Sequence, residues 1–276
     1  MTEPLRLNHL YRVVDRETFA AARESSWLRE VFAPVELRTT HRPDWSYTGL
    51  YFYGGSTYLE LFEEGAQGDV GASGLAFAVE TPGASAVLAS EWRAALGEAE
   101  HRVVVRPMAA GDTPDAAGPD SAPWFQIAHA VPDRRDGLHL WAMEYHADFL
   151  AAWHAGATDA RGITRREVLE RYATVCGGPS SPLLEDIVGV SLALAPAASG
   201  FLARHVHALA ATSRGAGEVS YIEGDGITLG VAPASPGRTG VQDIVCRLRR
   251  PGGRETIAIG RSTIQVDGTR LVWKFR

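Results

Sequence analysis

Along the first 150 residues the spacing of apolar positions switches repeatedly between a period near two and one near 3.6. Leu7 to Val14 (LNHLYRVV) reads as a strand, and Asp15 to Phe32 sets Phe19, Ala22, Trp27, Leu28 and Val31 near one helical face. Val35 to Thr40 reads as extended, and SYTGLYFYGGSTYLELFEE as two strands joined at Gly54-Gly55, a pair that favours a tight hairpin. The order is strand, helix, three strands, and it recurs. Gly74 to Val79 is a strand, Ala84 to Leu96 a helix that Gly97 can end, and Arg102 to Pro107 a strand. A Gly/Asp/Pro/Ala loop from Ala110 to Pro123 then precedes the pair WFQIAHAV and LHLWAMEYH. Two copies of one motif, at about 5–64 and 74–146, are the simplest account.

Beyond residue 155 the pattern changes. Thr164 and Glu167 offer a capping box for a short helix through about Val175, and Cys-Gly-Gly-Pro-Ser-Ser-Pro follows as punctuation. DIVGVSLALAP, a helix from about Ala198 to Ala211 and strands running to Phe275 then suggest a third, more divergent copy. The expected organisation is a two-unit domain over 1–155, a helical linker over 156–182 and a third unit over 183–276.

Composition narrows the classes. A chain of 276 residues, 45 % apolar, can bury a sizeable core, yet no run of about 18 apolar residues occurs and the start lacks a leader pattern. The expectation is a cytoplasmic protein that does not engage a membrane. Net charge −6 lacks the basic footprint that nucleic acid requires. Cys176 and Cys246 are too few and too distant for a disulfide framework, and read as buried thiols. The segment from Arg238 onward holds nine basic and three acidic residues, a local +6 that leaves −12 for the remainder. That basic end either faces the acidic part or guides an anion; the first reading is the plainer one.

The chemistry-bearing residues stand out against this frame. His9 lies within the apolar first strand, and Glu60 within YLELF; alternation puts Tyr58, Glu60 and Phe62 on one face and Leu7, His9 and Tyr11 on another. A buried carboxylate is costly unless a cation, metal or donors compensate it. Glu144 in LWAMEYH takes the matching place in the second copy, with His146 on the same face. Two readings stay open: His9 as a core histidine with Glu60 paired to Arg12 or Arg38, or the set as a functional constellation. His205 and His207 are two apart on a predicted helix and cannot share a metal. His129, His139 and His154 read as structural or rim residues, and Gly224-Asp225-Gly226 as a turn, since its spacing fails the dinucleotide fingerprint.

A tandem strand-helix-three-strand unit with His on its first strand and Glu on its last resembles the vicinal oxygen chelate superfamily, which includes glyoxalase I, extradiol dioxygenases, epimerases and fosfomycin- and bleomycin-resistance proteins. The resemblance implies an α+β fold in which tandem βαβββ units curl into an open β-barrel cup, with a third divergent unit at the C-terminus. It implies metal ligands at His9, Glu60 and Glu144, with His146 as an alternative, and proton transfer by Glu60 or Glu144. The second unit reads Ser73-Gly74-Leu75-Ala76 where a Gly-His-Ile-Ala-like string often stands, so one His ligand is missing. One imidazole and two carboxylates suit Fe, Mn, Ni or Zn. Tyr51, Trp124 and Trp141, with Tyr53, are candidates to line the cup around a planar ligand.

Three functions follow from this reading. The first is a metal-dependent isomerase, lyase or oxygenase acting on a small oxygen-rich metabolite by bidentate chelation. The second is a non-catalytic protein that sequesters a small molecule in the same cup. The third is an interaction protein that pairs through its C-terminal unit, as a homodimer would.

Overall fold

The computed structural model describes residues 3–41, 46–107, 121–146 and 163–276. Most of the expected loop from Ala110 to Pro123 lies outside these residues, as does His154. The first repeat comprises β1 (Leu7–Val14), α1 (Arg16–Glu24), β2 (Val35–His41), β3 (Ser46–Tyr53) and β4 (Tyr58–Glu63). Asp15 caps α1 by accepting from the Thr18 N–H, satisfying a donor that a helix start leaves open. The one helix expected through Phe32 is divided. Ser25 ends α1, its Oγ accepts from the Leu28 N–H at 3.3 Å, and a π-helical turn follows at Leu28–Phe32. The Gly-Gly hairpin is likewise longer than expected, with Gly54 to Thr57 all outside the strands. A Cβ on Gly54 would collide with the Glu185 carbonyl, so the glycine permits that close approach.

The second repeat comprises β5 (Ser73–Ala78), α2 (Ala84–Leu96), β6 (Ala99–Pro107), β7 (Ser121–Arg135) and β8 (Leu138–Tyr145). Helix α3 (Arg165–Cys176) follows, with the Thr164–Glu167 capping box formed in both directions. The remaining elements are β9 (Leu184–Leu194), α4 (Pro196–His207), β10 (Thr212–Ala216), β11 (Val219–Glu223), β12 (Thr228–Pro233), β13 (Gly240–Ile259) and β14 (Ser262–Lys274).

Two open sheets result. The first has the order β2-β3-β4-β1-β5-β8-β7-β6. β1 runs parallel to β4, β5 parallel to β8, and the repeats meet at an antiparallel β1–β5 seam. The second sheet, β10-β11-β12-β9-β13-β14, reproduces half of this plan, with β9 parallel to β12 and antiparallel to β13. Where a fourth unit would begin, β13 turns back on β14 as a long hairpin. The third unit is thus a βαβββ motif closed by a hairpin.

One face of each sheet enters a shared core with α1, α2 and α4. Phe32, Phe52, Trp92, Leu192 and Trp273 lie in it fully buried, and Trp273 packs edge-on against Phe32 and Phe52. Arg12 joins the sheets, donating to the Thr239 and Val241 carbonyls beneath the Phe275 ring. The basic end meets the acidic N-terminal part through Arg261, 3.3 Å from Glu17.

His205 of α4 is completely buried against Trp92 and Phe201, while His207 is exposed. The His205 Nδ1 bonds to the Phe201 carbonyl, and Nε2 finds no partner among the described residues. Burial lowers its pKa from 6.5 to about 4. The unfolded chain therefore binds a proton that the folded chain refuses between these values. The stability that His205 contributes is full above pH 6.5 and declines as pH falls toward 4, by up to about 3 kcal/mol. Denaturant titrations should show wild type losing stability over that window relative to His205→Leu; parallel pH profiles would contradict it.

Candidate active site

The opposite face of the first sheet curls around a separate aromatic cluster that includes Tyr11, Tyr51, Tyr53, Tyr58 and Trp141. Helix α3 lies over part of it through Val168, Leu169 and Tyr172. The linker helix, not the C-terminal unit, is therefore a wall of the cup. Tyr172 stacks on Tyr53 at 5.3 Å and accepts from the Trp124 indole N–H at 2.8 Å. A cavity of about 430 Å³ remains, within the ~300–1,000 Å³ range of small-molecule sites. Tyr51, Tyr53, Trp124 and Trp141 all line it.

His9 and Glu60 meet in this cavity. The parallel β1–β4 register sets Tyr11 beside Glu60 and His9 beside Tyr58, all facing the cup. Leu7 does not share their face. A bulge at Asn8, between the pairs Leu7–Phe77 and His9–Ala76, sends Leu7 into the shared core and brings Asn8 next to His9. Asn8 Oδ1 accepts from the His9 Nδ1–H at 2.8 Å, and the Asn8 amide also reaches the Tyr145 hydroxyl. In this tautomer the His9 Nε2 lone pair faces Glu60 Oε1, 3.7 Å away. Tyr58 stacks on the imidazole at 4.3 Å.

The electrostatics of the pair follow from burial. Loss of solvent raises the Glu60 pKa from 4.5 to about 7, against the Arg38 charge and a hydrogen bond with Tyr58 that both favour the anion. Burial, and then the charges of Arg38 and His139, push His9 well below its usual range, so it is a neutral base. Arg38, one of the two arginines expected as a partner for Glu60, acts on it through its charge. It lies with its guanidinium carbon 3.9 Å from the Tyr51 ring centre and bonds Glu36 through Nη1. Burial works against its charge, but the oxygens of Tyr53, Tyr51 and Glu36 outweigh that and keep it protonated. Arg12, the other suggested partner, belongs to the opposite side of β1.

His139, expected to be structural or at the rim, enters the cup. Its Nε2 is 3.0 Å from Asp133 Oδ2, and both residues line the cavity. Burial lowers the His139 pKa, while their hydrogen bond holds Asp133 below its usual value. Trp141 contacts both His139 and His9. The only signal for His139 in the sequence was its parity with Trp141 along one strand.

Glu144 is a correction. Residues 139, 141, 143 and 145 of β8 face the cup, so Glu144 points the other way. Its carboxylate accepts from the Gly83 N–H at 2.7 Å, the Ser85 N–H at 3.0 Å and the Ser85 hydroxyl at 2.7 Å, and so caps α2. His146 shares that parity and does not line the cavity; its N–H bonds the Trp124 carbonyl. On the register of the first repeat, in which Glu60 lies two residues past the partner of His9, the second repeat offers Gly74 and Trp141. The space at Gly74 is filled by Tyr11 and Trp141.

These positions bear on a metal. Among the described residues no group of three or more His, Cys, Asp or Glu side chains comes together to hold one. His9 and Glu60 supply two donors where such ions take four to six, and the Arg38 charge acts on the same carboxylate. Among the described residues the donor set does not fit a resident divalent ion.

Tandem βαβββ units meeting at an antiparallel seam, with a cup on one face, give this protein the α+β fold that the resemblance to the vicinal oxygen chelate superfamily implied. Residues 7–275 match a family of unknown function, DUF5829, and the chain belongs to it. No curated protein matches. Among solved structures it is similar to a hypothetical protein from Staphylococcus aureus, with 8 % identity, 93 % of this chain and 96 % of that one covered, and a TM-score of 0.53. Two others are the Mn(II)-bound glyoxalase from Novosphingobium aromaticivorans (10 % identity, 98 % and 82 % covered, TM-score 0.45) and a catechol 2,3-dioxygenase (8 %, 87 % and 69 %, 0.44). At such identities likeness shows the fold alone. No helix among the described residues is long and apolar enough to cross a membrane.

Proposed function

We propose that this chain is an enzyme that binds a small planar molecule in the aromatic cup and moves a proton on it through Glu60 and His9, in an isomerase- or lyase-type reaction. The observation that carries this reading is the Glu60 carboxyl, buried in the cavity with a pKa near 7 and 3.7 Å from a neutral imidazole. A group that titrates near the working pH can both give and accept a proton. The rings hold the ligand flat, α3 covers part of the cup, and Asn8 keeps the His9 lone pair aimed at the cavity. Tyr58 steadies the Glu60 anion when it forms.

Ligands would be found by quenching of Trp124 and Trp141 fluorescence with a library of planar compounds. Bound hits in D₂O, followed by NMR, should exchange a C–H for deuterium. Glu60→Gln and His9→Ala should each slow that exchange by about 100-fold or more, with affinity changed by no more than about threefold. Binding without exchange would replace this reading with that of a sequestering protein. Exchange abolished by a chelator and restored by Mn²⁺ or Fe²⁺ would reinstate the metal-dependent one.

A further inference from the structure

The cup differs in charge from the protein that surrounds it. The chain carries −6 overall, yet three arginines line the cavity: Arg38 within it, and the more exposed Arg102 and Arg134. Two carboxylates answer them from the lining. Asp133 is engaged by His139 at 3.0 Å and lies 4.0 Å from Arg134, and burial disfavours the Glu60 anion. Glu36, 3.4 Å from Arg38, stands outside the lining but offsets part of the Arg38 charge, which leaves Arg102 and Arg134 to supply most of the excess. The two imidazoles add no negative charge. A positive field in a cavity with low-dielectric walls concentrates anions.

The position of Arg38 adds direction to that field. Its guanidinium lies over the Tyr51 ring, and Trp124 is also within cation–π reach at 6.0 Å. A guanidinium carries five N–H donors in a rigid fork that matches a carboxylate; Glu36 engages Nη1 and Tyr51 takes a further side-chain hydrogen bond, which leaves part of the fork for a ligand. The surrounding rings offer flat apolar faces.

We propose that the ligand of the cup is a planar aromatic carboxylate, with its anion on Arg38 and its ring among Tyr53, Trp141 and Tyr172. Arg102 and Arg134 at the mouth draw it in. This rests on the cup being a small-molecule site, as proposed above, and adds the sign and the class of the ligand.

The test uses the full chain and three isosteric probes: 2-naphthoate, 2-naphthamide and 2-naphthylmethylammonium, titrated by tryptophan fluorescence and calorimetry. Naphthoate should bind at least tenfold more tightly than the amide, and the ammonium more weakly than either. Arg38→Met should erase the preference for naphthoate over the amide. Equal or tighter binding of the amide would overturn the anion assignment and leave the aromatic site standing. Failure of all three probes to bind would count against both. The comparison on the wild-type protein needs no variant, so misfolding of Arg38→Met would not shield the proposal.

Discussion

Replacing Glu60 by glutamine is expected to stabilise the protein at pH 8, by up to about 3 kcal/mol, and to leave it unchanged near pH 4. The Glu60 pKa rises from 4.5 in the unfolded reference to about 7 in the fold because burial disfavours the anion. The folded state thus holds a proton that the unfolded state releases between these values. Stability linked to Glu60 is full below pH 4.5 and is lost as pH rises through 7, at ~1.4 kcal/mol per pKa unit. Glutamine keeps the shape and never ionises. A group kept at such a cost on the wall of a cavity is what a functional carboxyl looks like. The check is chemical denaturation of both proteins at pH 4, 6 and 8. A Glu60→Gln variant that is no more stable at pH 8 would show that Glu60 is compensated, and would remove the basis for its role as a proton donor.

Glu144→Ala should do the reverse, costing about 3 kcal/mol, or roughly 10 °C in Tm, with no effect on what the cup binds. The N-cap of helix α2 is Gly83, whose φ is +79° and which has no side chain to cap the open N–H groups. Glu144 performs that task from β8, accepting three hydrogen bonds at the positive end of the helix. Removing it strands buried donors. Melting curves would report the loss, and titration of any compound bound by the wild type should give an unchanged affinity at a temperature where the variant is folded. Lost binding with an unaltered melt would return Glu144 to the active site.

The two glutamates show what could be read in the chain. Both lie in strands between apolar neighbours, and both looked like the same residue of a repeated unit. The common face of Tyr58, Glu60 and Phe62 is legible because they form an unbroken alternating run, a local property, whereas the meeting of Glu60 with His9 depends on the pairing of β1 with β4. Glu144 was misplaced because matching it to Glu60 required the register of β8 against β5, and a one-residue slip turns every side chain to the other face. The bulge at Asn8 acted similarly on Leu7. Arg38 gave only the faint signal of a charge in an alternating strand, and its place over Tyr51 depends on how β2 and β3 pair.

The amino-acid sequence by itself determined the order of elements, the twofold repetition, the capping box at Thr164, and the common face of Glu60 and its aromatic neighbours. Each of these depends on residues within one or two turns or strands, where propensity and periodicity act directly. Only the tertiary structure decided that α3 walls the cup, that the third unit packs on the opposite face of the first sheet, that a hairpin stands where a fourth unit would begin, and that Glu144 caps a helix. Those outcomes depend on pairings between residues far apart in the chain, which are selected by burial of whole faces and by satisfaction of backbone donors at contact. No local pattern encodes them.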